Sequence, residues 1–140
     1  MLRFAFAVCL VAFASASFAD EKAELKAIAG TWVVEKFEID GSDMTDNFKS
    51  LMLVLDGNKY SVTIGELKDN GTMTVDGSKT PKEMDITGTE GPNKGKKYLC
   101  IYELKDGKLK VCYSTDEKKR PTKFETAKDS NAMLAVYKKK

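Results

Sequence analysis

Few residues of this chain have the types and spacing that chemistry requires. Histidine is absent, so serine–histidine and cysteine–histidine nucleophile devices, nearly all zinc sites and a histidine pH switch are excluded. Gly91-Pro92-Asn93-Lys94-Gly95-Lys96 has some of the residues of a phosphate-binding loop. It holds three residues between its glycines instead of four, and a strand follows where a helix is required, so it reads as a long hairpin loop. Asp40, Asp43 and Asp46 lack the central glycine and terminal glutamate of a calcium loop and read as solvated. Asn70-Gly71-Thr72 matches a glycosylation acceptor but reads better as a type I′ turn. No Gly-x-Ser-x-Gly nucleophile is present, and no carboxylate pair stands out. The expectation is a non-enzymatic protein without cofactor or metal.

The cysteines are the remaining reactive groups. Cys9 lies in an N-terminal segment with Arg3 ahead of an apolar run from Phe4 to Phe13, closing on Ser17-Phe18-Ala19 before Asp20-Glu21-Lys22. These are the parts of a secretory signal peptide, residues 1–19, cleaved after Ala19. The run is shorter than the ~20 residues needed to span a bilayer, and no second run of membrane length follows. Residues 20–140 then form one exported domain, secreted or periplasmic, whose only cysteines are Cys100 and Cys112. In an oxidising compartment an even count is compatible with a bridge.

What positions these residues is a string of short strands. Leu25, Ile28 and Ala29 sit at helical spacing before Gly30, which predicts a helix over Asp20–Ala29. From Thr31 the apolar period becomes two. Strands are expected at Thr31–Ile39, Leu51–Leu55, Lys59–Ile64, Thr72–Asp76, Glu83–Thr87, Lys97–Leu104, Lys108–Ser114 and Ala132–Lys138. Asp-Gly, Asn-Gly and Gly-Pro dipeptides separate them. Eight strands with tight turns predict an all-β, antiparallel fold, and closure into a barrel removes exposed edges. A three-residue loop Lys105-Asp106-Gly107 would face Leu104 with Lys108 and hence Cys100 with Cys112, either as a disulfide or as two adjacent thiols.

Four segments carry a family resemblance. They are Gly30-Thr31-Trp32 after a short helix, Lys79-Thr80-Pro81-Lys82-Glu83-Met84-Asp85, Ile101-Tyr102-Glu103-Leu104 through Leu109-Lys110-Val111-Cys112-Tyr113, and Arg120-Pro121-Thr122-Lys123-Phe124. This ordered set resembles an uncharacterised small secreted domain found repeatedly in planctomycete bacteria, over Leu25 to Lys138. Cys100 departs from that pattern, where a small residue precedes Ile-Tyr. Gly30-x-Trp32 also resembles the signature that opens the first strand of lipocalins. That resemblance implies a lipocalin-like barrel, one end of which is closed by Trp32 with an arginine lying across the indole. Arg120, the one arginine after residue 19, is the implied partner.

With Lys+Arg 23 against Asp+Glu 21, the charge is too balanced for a nucleic-acid binder. Two functions fit such a barrel: a carrier of a small hydrophobic ligand, or a cell-envelope module that binds another protein through loops on a filled interior. Met52, Met73, Met84 and Met133 fall at strand positions and would suit an adaptable pocket. An internal cavity open at one end separates the two.

Overall fold

A computed structural model describes residues 14–140. Residues 1–13 of the expected signal peptide lie outside the described residues, and residues 14–19 form the start of helix α1, Ala14–Ile28. After it come β1 (Gly30–Ile39), β2 (Ser42–Asp43), a single 3-10 turn (Thr45–Phe48), β3 (Met52–Asp56), β4 (Lys59–Ile64), β5 (Leu67–Asp76), β6 (Lys82–Glu90), β7 (Lys97–Lys105), β8 (Lys108–Ser114) and β9 (Ala132–Lys139). Neither α1 nor any other described helix is long and apolar enough to cross a membrane.

The expected antiparallel barrel of eight strands behind one helix is what the chain forms. From β3 onward each strand pairs with the next, β1 pairs with β3, and β9 returns to β1 to close the sheet. The two-residue β2 is an appendix on the end of β1. Alternation along the strands builds the core. In β5, Asp69, Gly71, Met73 and Val75 are buried while their neighbours are not, and in β8 Leu109 and Val111 point the same way. A bulge between Val34 and Lys36 lets β1 bend to serve two partners, β3 at Gly30–Val33 and β9 from Trp32 to Ile39.

Helix α1 sits at the end of the barrel where β1 begins. Ile28 and Trp32 are fully buried there, and the indole Nε1 donates to the Ile28 carbonyl at 2.9 Å. Glu24 joins helix to barrel. Its carboxylate accepts from Lys82 Nζ (2.8 Å) and from the Tyr102 hydroxyl (2.8 Å). Burial works to raise the Glu24 pKa, yet these two donors and the lysine charge together hold it below its ordinary value.

Three sequence expectations are corrected. The first concerns Asn70-Gly71, which is no turn but lies inside β5. The chain reverses at Gly65, with φ of 59°, and Glu66. A Cβ at Gly71 would collide with the Thr87 carbonyl and the Tyr60 ring, so the glycine serves close packing. The second is the β7–β8 register. Asp106 (φ 55°) and Gly107 (φ 74°) are both left-handed, and Lys105 pairs with Lys108 across a two-residue turn. That one-residue difference sets Cys100 opposite Tyr113 and Cys112 opposite Ile101, so the cysteines point to opposite faces of the sheet. Both are buried free thiols and no disulfide joins them. Burial pushes the Cys100 thiol pKa well up and raises that of Cys112.

The third correction is the barrel-closing pair. Arg120 lies in the long segment 115–131 between β8 and β9, which crosses the outside of the sheet. Its Nη1 donates to the carbonyls of Cys100 (2.8 Å) and Met84 (3.2 Å), its Nη2 meets Asp85 Oδ1 at 2.6 Å, and its Nε lies 3.5 Å from Glu83. It is a rivet across β6 and β7. The cation over the Trp32 indole is Lys139, whose Nζ is 4.4 Å from the ring centroid. Phe124, in the same segment, packs outside the barrel on Ile101, Cys112, Ala132 and Leu134.

Candidate functional site

The end opposite α1 is shaped differently. There β1 and β4 finish, β5 and β9 begin, and the β6–β7 loop turns over. Between these strand ends the barrel holds a cavity of about 280 Å³. Its floor is formed by Leu55, Met73, Met84, Leu109 and Tyr137, and its rim by Phe48, Ile64, Leu67, Pro92 and Met133. Three of the four strand methionines, Met73, Met84 and Met133, therefore line it, and Met52 does not. Phe48 comes from the 3-10 turn and stacks on Phe37 of β1, with ring centroids 4.2 Å apart. This turn stands beside β1 where the β1–β3 pairing has already ended, so an aromatic pair finishes the wall that backbone pairing leaves incomplete.

One part of the wall is polar. Asp69 occupies an inward position on β5 and is only 7% exposed. Asn93 reaches it from the β6–β7 loop, donating from its backbone N (3.2 Å to Oδ1) and its side-chain Nδ2 (2.9 Å to Oδ2). The Asn93 Oδ1 accepts from the Tyr98 hydroxyl at 2.7 Å, and the Tyr60 hydroxyl stands 3.4 Å from Asp69 Oδ2. Burial first, then the negative charge of Asp69, raise the pKa of both Tyr60 and Tyr98. A second hydroxyl pair lines the cavity between β8 and β9, Tyr113 and Tyr137, 2.9 Å apart. Burial raises both, and Tyr137 is pushed up to about 12.

The loop reaches Asp69 because two glycines let it. A side chain at Gly88 would strike the Asn93 backbone, and one at Gly91 (φ 90°) would strike the Lys68 carbonyl. Gly91–Lys96 is thus the long hairpin loop the sequence suggests, but it also delivers Asn93 to the mouth. Neither Asp69 nor Asn93 stands out in the sequence. The available signal was the alternation of β5, in which Asp69 shares its face with Met73 and Val75.

Trp32, Arg120, Cys100 and Cys112 do not line this cavity, whereas three of the four strand methionines and Pro92 and Asn93 of the long loop do. Trp32 belongs to the helix end, Arg120 and Cys112 to the outer face, and Cys100 is buried in the core beside the floor. Among the described residues no group of three or more Cys, Asp or Glu is placed to hold a metal. An apolar cavity closed at one end, open at the other and carrying a few convergent polar groups is the form of a small-molecule site in a barrel. No family model matches the chain, and neither a curated protein nor a solved structure matches it.

Proposed function

We propose that the protein is an exported, non-enzymatic binding protein that holds one small, mainly apolar molecule inside the barrel. The cavity of about 280 Å³ carries this reading. It is roughly twice the ~150 Å³ of an engineered apolar cavity that accepts benzene, which suits a ligand of about a dozen non-hydrogen atoms. A module that binds only through its loops has no use for an unfilled interior, so the cavity weighs against the envelope-interaction alternative. Secretion or residence in the periplasm rests on the signal-peptide pattern of residues 1–19 and on the resemblance to small secreted domains.

The test is native mass spectrometry of protein from its source, paired with displacement of a fluorescent apolar probe. Met73 lies on the cavity floor, so Met73→Trp fills the space. The native protein is expected to carry a small molecule and to bind the probe, and the variant to lose the probe while still folding. A clean apo mass together with probe binding unaffected by Met73→Trp would reject the reading.

A further inference from the structure

The polar part of the wall says more about the ligand than the cavity volume does. Asp69 is 7% exposed. Among the described residues no lysine or arginine forms an ion pair with it; the ion pairs are all elsewhere. Its partners among the described residues are neutral donors, Asn93 through two bonds and Tyr60 through one long one at 3.4 Å. A carboxylate offers about four acceptor sites. Both carboxylate oxygens are engaged, but by neutral donors, so among the described residues this buried charge has no cation beside it, and such charges are ordinarily paired. Glu24, at the helix end, has Lys82 as such a partner.

Asp69 faces the same cavity as Tyr60, Tyr98, Phe37 and Phe48. Aromatic faces attract cations, and a carboxylate in an apolar wall repels anions. The geometry points to a hydrophobic amine as the ligand: a protonated nitrogen bound at Asp69 and among the tyrosines, with an apolar body laid over Met73, Met84 and Leu109. This assignment deepens the ligand-binding proposal and rests on it. It also makes a negative statement, that simple fatty carboxylates of the same size are rejected.

The experiment is calorimetry at neutral pH with three probes of one skeleton, n-octylamine, 1-octanol and octanoate, on the wild type and on Asp69→Asn. The wild type is expected to bind octylamine at least tenfold tighter than octanol, with octanoate weakest. Asp69→Asn is expected to weaken octylamine at least tenfold and leave octanol within about threefold. Octanol or octanoate binding as tightly as octylamine would overturn the amine assignment while leaving the cavity proposal standing. Binding of none of the three would overturn both. Should Asp69→Asn fail to fold, the ranking of the three probes on the wild type alone decides the matter.

Discussion

Replacing Arg120 tests the reading of the outer segment most sharply. The guanidinium makes four polar contacts, two to backbone carbonyls and two to carboxylates, and the side chain is 23% exposed against 33% and 31% for Glu83 and Asp85. Charge-assisted hydrogen bonds contribute about 1.5–3 kcal/mol when sheltered, whereas exposed pairs contribute about 0–1 kcal/mol. These contacts lie between those limits. Lysine can keep a charge near Asp85 but cannot bridge both carbonyls, so Arg120→Lys should cost about 1–2 kcal/mol. Arg120→Ala also leaves two acidic side chains beside each other without a cation, and should cost about 2–4 kcal/mol. For a domain of this size that is a fall in Tm of roughly 3–5 °C per kcal/mol. Urea unfolding followed by far-UV circular dichroism and by emission of the single Trp32 measures the change as a lower midpoint at unchanged slope. Lys119→Ala, at an exposed neighbour, is the control. Native Trp32 emission should respond to Lys139→Ala and not to Arg120→Ala, because Lys139 is the cation on the indole. Equal stabilities for Arg120→Lys, Lys119→Ala and the wild type would refute the rivet. A native emission change with Arg120→Ala alone would restore the stacking that the lipocalin resemblance implied.

Further outcomes are expected elsewhere in the molecule. Because the folded pKa of Glu24 is depressed below 4.5, its contribution to stability is fully present above that value and is lost as pH falls through the folded one. Glu24→Gln should flatten the acid limb of a stability–pH curve and leave its neutral region little dependent on pH; an unchanged acid limb would contradict this. Gly71→Ala should destabilise the fold by about 1–3 kcal/mol through the clash with Tyr60 and Thr87, measured by the same urea titration. Cys100 and Cys112 should resist a thiol reagent until the protein unfolds, and a reductant should leave Tm unchanged. Release of a disulfide mass shift on reduction would show otherwise.

The architecture was legible because two local signals agreed along most of the chain: period-two apolar spacing and left-handed turn dipeptides. Strand boundaries at β3, β4, β7, β8 and β9 differ from expectation by a residue at most. The signals conflicted at β5, where Asn70-Gly71 has the chemistry of a turn. There the packing of Tyr60 across Gly71 decided, and the strand runs through. Register was the hardest quantity to read, since loops of two and three residues both suit Asp106-Gly107, yet they differ in which face every β7 side chain takes. The cavity's polar wall was hidden for a related reason. A carboxylate on an alternating strand reads as solvent-facing, and only the neighbouring inward positions and the loop bearing Asn93 reveal that Asp69 points in. Arg120 was singled out correctly as unusual, but a lone guanidinium in a loop has many possible acceptors, and sequence gives no measure of which backbone carbonyls lie within its reach.

Closure of the sheet by β9 on β1 has a kinetic side. Every other pairing joins neighbouring stretches of chain, so hairpins from β3 to β9 can form one after another at little entropic cost. The β1–β9 pairing joins residues about a hundred positions apart, and a loop of that length costs on the order of 4 kcal/mol to close. The expected order of events is an open meander first and closure of the barrel last. The meander's two bare margins are the segments Trp32–Ile39 and Met133–Lys139, each rich in apolar residues. They are mutually complementary and, until they meet, equally available to another copy of the chain. Refolding yield should thus fall steeply with protein concentration, and the interval between synthesis of β8 and arrival of β9 is the period in which the chain most needs to be kept apart from its own kind.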